Sequence, residues 1–189
     1  MALDSEMRWR LVRKAKSRAA ESEGEVTVRP AVETDMLQVL EIYNFYILNS
    51  VITFDAEPHT YSAWIDKFRW VASMGLPFLV AVSPSGQILG FAYAAPWRAK
   101  AAYRRTVEDT IYLRPAATGK RIGTKLLSAL IDACTATGVK EMIAVISDKG
   151  AAASLKLHAS FGFEPQGHLG KVGFKFGKWL GTHLLQKSL

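Results

Sequence analysis

One stretch constrains this chain more than any other: TVEDTIYLRPAATGKRIGTKLL, from Thr106 to Leu127. Its first eight residues are rich in β-branched and aromatic types and read as a strand. Pro115 breaks that pattern, a loop of small residues follows, and a helix is expected to begin near Gly119. Leu127, Leu130, Ile131 and Cys134 recur at i, i+3, i+4, i+7 and give that helix one apolar face. A strand feeding a helix N-terminus through a small-residue loop is an anion site in outline. The first-turn amides have no intrahelical partner, and the helix dipole favours negative charge there. Gly119 and Gly123 permit close backbone approach, and Lys120 and Arg121 add positive charge.

The rest of the chain arranges itself around this unit. Glu25 to Arg29 alternates as a strand that Pro30 ends. Met36, Leu40, Tyr43 and Ile47 predict a helix over 34–49, with Thr34 as cap and Asp35 in its first turn. A second helix opens at Thr60, with Trp64, Phe68 and Val71 on one face and Gly75 as its stop. FLVAV after Pro77 and Ile88–Ala95, joined by Pro84-Ser85-Gly86-Gln87, read as a hairpin. Pro96–Arg105 is a long basic and aromatic loop, of a length that suggests a task. Glu141–Ile146 is a buried strand, and Ala151–Phe161 a short helix. Phe163–Leu169 and Val172–Leu185 close the chain, the second containing a turn at Phe176–Lys178. The order β-α-α-β-β-β-α-β-α-β-β predicts an α+β fold in three layers. A mixed, twisted central sheet carries helices on both faces, and residues 106–146 form a parallel crossover.

Composition narrows the classes of function. Hydrophobic content of 49% and charged content of 22% suit one globular domain, expected over residues 25–189. Residues 1–24 differ: Arg8, Arg10, Arg13, Lys14, Lys16 and Arg18 outweigh Asp4 and Glu6. They are expected to form a basic extension, helical or disordered. A net charge of +7 points to an anionic partner, and its spread along the chain favours a small polyphosphate ligand over nucleic acid. The single cysteine, Cys134, excludes a disulfide framework and fits a reducing, cytoplasmic setting. No apolar run approaches the roughly 20 residues of a membrane helix, so no membrane partner is expected. His59, His158, His168 and His183 lack metal-ligand spacing, so no metal is expected. Nor is there a G-x-S-x-G turn.

Taken together, EIYNFYI, VITFDAEP, FLVAV, FAYAAPWRAKAAYRRTVEDTIYLRP, KRIGTKLL, IAVI, SLKLHASFGF and GHLGKVGFKFGKW resemble the Gcn5-related N-acetyltransferases (GNAT). Within them the match is to the phosphinothricin N-acetyltransferase group, and it covers residues 25–185. The resemblance implies acetyl-CoA as donor, the primary amine of a small amino-acid-like molecule as acceptor, and a homodimer. Two departures stand out. Aligned on Gly123, Thr118 occupies the first position of the family's pyrophosphate loop and Arg121 its middle glycine. Gly150 and Ala151 occupy the region of an asparagine that contacts the pantetheine arm.

Glu108 shares one face of its strand with Thr110 and Tyr112 and is the candidate base, as the family's glutamate at this position implies. Pairing with Arg104 or Arg105 is the structural alternative. Asp109 points to the other face and receives no role. His158 matches a histidine of the resembling group and is the second catalytic candidate, with packing as its alternative. The resemblance implies cofactor contacts from the strand backbone at Ile111, Tyr112 and Leu113. The loop and first turn, Gly119, Lys120, Arg121, Ile122, Gly123 and Thr124, would hold the pyrophosphate. Ala151 and Ser154 would flank the pantetheine arm. Phe54, Trp97, Arg98, Tyr103, Arg104, Thr106 and Lys175 are candidates for the acceptor pocket, Arg for its planar fork and the aromatics as walls. Two other functions remain open on this reading. One is acetylation of another amine, such as a polyamine or a protein N-terminus. The other is a catalytically degenerate acyl-CoA-binding protein.

Overall fold

The computed structural model describes residues 25–189. The extension expected at residues 1–24 lies outside the described residues. In chain order the elements are β1 (Thr27–Pro30), α1 (Met36–Asn49), α2 (Tyr61–Ser73), β2 (Phe78–Val82), β3 (Ile88–Pro96), β4 (Thr106–Leu113), α3 (Ile122–Ala136), β5 (Glu141–Ser147), α4 (Ala152–Ser160), β6 (Glu164–Lys175) and β7 (Lys178–Ser188). The strands form one seven-stranded sheet in the order β1-β2-β3-β4-β5-β7-β6. Only β4 and β5 are parallel, joined across α3; the other pairs are antiparallel. This is the expected mixed sheet.

Alternation along the central strands feeds two cores. Phe78, Val80, Phe91 and Tyr93 face α1 and α2, where they meet the fully buried Trp64, Met36 and Ile47. Leu79, Ala81, Ala92 and Ala94 face the opposite side, under Leu126, Leu127, Leu130 and Cys134 of α3. Each fully buried Leu, Ile or Phe contributes roughly 1.5–3 kcal/mol over its exposed state, so the two faces hold the layers together. Small residues on the α3 side of β3 let that helix sit close to the sheet.

The helix ends follow local chemistry, with two revisions. Thr60 caps α2 as expected: its Oγ1 accepts from the Ala63 N–H at 3.2 Å. Thr34 does not cap α1. It lies in a 3-10 turn over Glu33–Asp35, and the Asp35 carboxylate takes the Val32 N–H at 2.9 Å and the Arg29 guanidinium at 2.7 Å. The charged acceptor wins because it serves a backbone donor and a cation at once. The second revision is at α3, which starts at Ile122 and not near Gly119. Gly119 and Arg121 both have positive φ, at 76° and 60°, so the chain cannot be helical before residue 122.

The closing strands are also redrawn. Phe176 (φ 49°) and Gly177 (φ 71°) form the two-residue turn between β6 and β7, with Lys175 opposite Lys178. Positive φ at both central residues is the type I′ pattern that matches strand twist. The break expected between Leu169 and Val172 is instead a bulge within β6, with Lys171 at φ 53°.

Candidate active site

The site originates in a pairing that stops. β4 and β5 run side by side only from Thr106 opposite Glu141 to Glu108 opposite Ile143. Beyond that point β4 stays with β3 to Leu113, while β5 turns to β7. The carbonyl of Thr106 accepts from Trp97 and the N–H of Arg114 donates to Leu89, so even-numbered positions of β4 point their backbone groups at β3. By alternation, Asp109, Ile111 and Leu113 direct theirs into the gap on the β5 side, where no strand meets them. One is taken: the Leu113 carbonyl accepts from Tyr46 Oη at 2.7 Å. The open N–H groups there need a partner, and a ligand amide or carbonyl can supply it.

The gap opens into a cavity of about 650 Å³. Its lining runs from Thr118, Gly150, Ala151 and Ser154, beside the start of α4, to Glu108, Tyr93 and Lys67 on the α2 side. The guanidinium-bearing Arg121 is exposed and does not line it. The loop Val51–Asp55 forms one wall and is held by a polar network. Tyr43 Oη bonds Asp55 at 2.6 Å and lies 3.1 Å from Thr53 Oγ1. Lys175 Nζ, itself buried, donates to the Thr53 carbonyl at 2.9 Å. Phe54 lines the cavity and lies against Gly173, where an added Cβ would meet its ring at 2.6 Å.

Glu108 is half-buried on the cavity floor. Burial raises its carboxyl pKa, and the neighbouring Asp109 charge adds to this; Arg98 and Lys67 oppose both. The ion pairs considered for it with Arg104 and Arg105 are absent among the described residues. A half-buried, unpaired carboxylate with a raised pKa is suited to accept a proton.

Asp109 has a partner after all. On the opposite face of β4 its Oδ2 lies 3.0 Å from Nε2 of His158, and both side chains are 2% exposed. The other ring nitrogen, Nδ1, lies 2.8 Å from the Ser154 carbonyl oxygen, which can only accept. Both nitrogens therefore face acceptors. Burial alone depresses the imidazole pKa, but Asp109 and the Ser154 carbonyl outweigh it and the net shift is upward. Asp109 Oδ1 is buried without a hydrogen-bond partner among the described residues, and Asp109 and His158 both line the cavity. A signal for this pair was in the sequence: a carboxylate on the buried face of an apolar strand is untenable without a partner.

Of the other sequence-derived candidates, Ile111 and Tyr112 line the cavity, as do Ala151 and Ser154. Gly119, Lys120, Arg121, Ile122, Gly123 and Thr124 form the turn into α3. Gly123 is buried, and a Cβ there would sit 3.3 Å from Leu157, so its smallness serves the packing of α3 on α4. Trp97, Arg98, Tyr103, Arg104 and Thr106 are not brought into the lining; Arg98 folds back over its own Trp97 ring at 4.0 Å. Lys67, which the sequence reading passed over, does line the cavity.

Known proteins resemble this chain over most of its length. The profile of the acetyltransferase (GNAT) family matches residues 38–163. A phosphinothricin N-acetyltransferase of Alcaligenes faecalis is 39% identical over 163 residues, spanning 86% of this chain and 82% of the relative. An L-methionine sulfoximine/L-methionine sulfone acetyltransferase of Pseudomonas aeruginosa is 37% identical, spanning 86% and 94%. Among solved structures, a GNAT superfamily phosphinothricin acetyltransferase from Sinorhizobium meliloti, in complex with AcCoA, superposes with a TM-score of 0.83 at 43% identity, over 87% of this chain and 88% of the other. An unpaired strand edge, a helix N-terminus beside it and a lone carboxylate at the fork are thus found in a chain that belongs to the acetyltransferase (GNAT) family.

Proposed function

We propose that this protein transfers the acetyl group of acetyl-CoA to the primary amine of a small amino-acid-like acceptor, of the phosphinothricin or methionine sulfoximine type. It does so in the cytoplasm and as a homodimer. The observation that carries the reading is the position of Glu108: an unpaired, half-buried carboxylate where β4 leaves β5. The names of the relatives support the acceptor class.

The residues present fit the donor. Free N–H groups of Ile111 and Leu113 line the gap and are placed to pair with an extended amide chain and with the thioester oxygen. The amides of Ile122, Gly123 and Thr124, with the positive-φ residues Gly119 and Arg121 before them, make a concave cradle for a diphosphate. Lys120 and Arg121 add charge at its rim. Acetyl-CoA, when bound, supplies an acyl carbon open to attack and a thiolate leaving group. Glu108 takes the proton from the acceptor amine, since an ammonium near the Lys pKa of about 10.4 is not nucleophilic. On the opposite face of β4 the Asp109–His158 pair holds a proton on the imidazole, which would be the group to protonate a thiolate. Phe54 walls the acceptor end, and Arg98 acts on the Glu108 carboxyl from outside the lining. Lys175 acts indirectly, by fixing the Thr53 loop.

The experiment is an acetylation assay with L-methionine sulfoximine and acetyl-CoA, comparing wild type with Glu108→Gln. A general base contributes roughly 10²–10⁴-fold, so kcat/KM is expected to fall by that factor with the fold intact. Equal rates would remove Glu108 from the mechanism. No release of the CoA thiol from acetyl-CoA with any amine acceptor would leave a protein that only binds acyl-CoA.

A further inference from the structure

Lys67 is the one lysine or arginine among the described residues that line the cavity. It lies on α2 three residues after the fully buried Trp64, so the two share a helix face. Its Nζ stands 5.5 Å from the Trp64 ring centroid and 5.4 Å from that of Tyr93 on β3. No carboxylate among the described residues pairs with it. Its side chain is half-buried, held over two aromatic faces. An ammonium kept there by ring quadrupoles, with no carboxylate to neutralise it, retains its attraction for an anion.

Its position relative to the base is set by strand register. Glu108 is opposite Ala95, and Tyr93 is two residues away on the same face of β3. Glu108 and Tyr93 are therefore diagonal neighbours, with Cα atoms roughly 7–8 Å apart. Lys67 sits above the Tyr93 end of that diagonal. The carboxylate and the ammonium face one cavity without closing into a salt bridge. A molecule carrying an amine and an acid group on one carbon fits between them, amine toward Glu108 and acid toward Lys67.

Building on the acetyltransfer reading above, we infer that Lys67 is the specificity residue of the acceptor site, receiving the acid group of an α-amino acid whose amine Glu108 deprotonates. The arginines of the 97–104 loop lie outside the lining and do not compete for this role. A purely structural Lys67 would only lay its methylenes over Trp64, a cover that methionine reproduces.

The test uses the full chain with L-methionine sulfone and its carboxamide, identical except for the acid group, assayed above pH 8 so that Glu108 stays ionised in each variant. Wild type is expected to favour the acid. Lys67→Met should raise KM for the acid roughly ten- to hundredfold, the equivalent of one charge-assisted hydrogen bond. Its kcat should stay within about threefold, and kcat/KM for the carboxamide should fall far less than for the acid. Lys67→Arg should restore most of the loss. Equal losses on acid and amide, or none on the acid, overturn the inference. Calorimetric titration of the same pair onto wild type and Lys67→Met separates the two readings. Binding that prefers the acid and depends on Lys67, without turnover, keeps this assignment and removes the activity. Turnover with no preference for the acid does the reverse.

Discussion

Glu108 is pulled in opposite directions, upward by burial and by Asp109, downward by Arg98 and Lys67, and the upward causes prevail. Only its ionised form can accept a proton. The rate is therefore complete at high pH and falls as pH drops through a pKa above the ordinary glutamate value of about 4.3. A kcat/KM profile should show this acid limb in wild type and lose it in Glu108→Gln. The buried His158–Asp109 pair has the opposite sign. The folded His158 pKa is raised, so its stabilisation is present below the unfolded value of about 6.5 and is lost as pH rises through the folded one. Urea midpoints at pH 6 and pH 9 check this. His158→Ala should cost about 3–5 kcal/mol, because it strands Asp109 as a buried charge. Arg121 carries backbone strain of about 1–2 kcal/mol at φ 60°, a conformation that glycine adopts freely. Arg121→Gly returns part of that to unfolded-chain entropy, about 0.4–1 kcal/mol. A net gain of about 0.5–1 kcal/mol is expected, read as a rise in Tm of a few degrees.

At the scale of elements, the separation of β4 from β5 is the feature on which the cavity depends, and β3 is what keeps β4 straight as its partner leaves. Gly90 is at that contact. A Cβ there would run into Leu113 Cδ2 and meet the Tyr112 carbonyl at 2.8 Å, both on the strand that must hold its place. Gly90→Ala should cost roughly 1–3 kcal/mol by overpacking, and should weaken acetyl-CoA binding by displacing the open N–H groups. Denaturant titration and calorimetry read the two effects separately. Most elements were legible beforehand because their periodicities are strong: β4 keeps its expected bounds, and the 3.6-residue spacing of α1 and α3 identified the correct faces. Positions that depend on φ were not legible. Arg121 and Lys171 adopt positive φ with side chains that carry no such signal, and that is where the start of α3 and the course of β6 were misplaced; the turn expected at Phe176–Lys178 is present.

At the scale of the whole molecule, the β6–β7 hairpin leaves a large apolar surface uncovered among the described residues. Leu169, Val172, Phe174, Phe176 and Trp179 are each at least half exposed, and Phe174 stacks edge-on against Trp179 at 5.3 Å. A patch of this kind at the edge of a sheet is what supports the proposed homodimer. Light scattering on wild type should give twice the chain mass, and Phe174→Glu with Trp179→Lys should give a monomer. The same hairpin carries Lys175, which holds the cavity wall at Thr53, so the monomeric variant is expected to lose acceptor affinity before it loses stability.

The amino-acid sequence by itself determined the layer architecture, the placement of Glu108 on the face of β4 that it shares with Thr110 and Tyr112, and the basic turn before α3. These are local matters of periodicity, alternation and helix ends, and each is readable within about twenty consecutive residues. Only the tertiary structure decided what Asp109, Lys67 and Lys175 do. Their partners are 49 residues away for Asp109 and 122 for Lys175, and for Lys67 the second ring, Tyr93, stands on a neighbouring strand. A charge buried between layers is defined by whatever the other layer presents to it, and that is settled when the sheet closes over its helices.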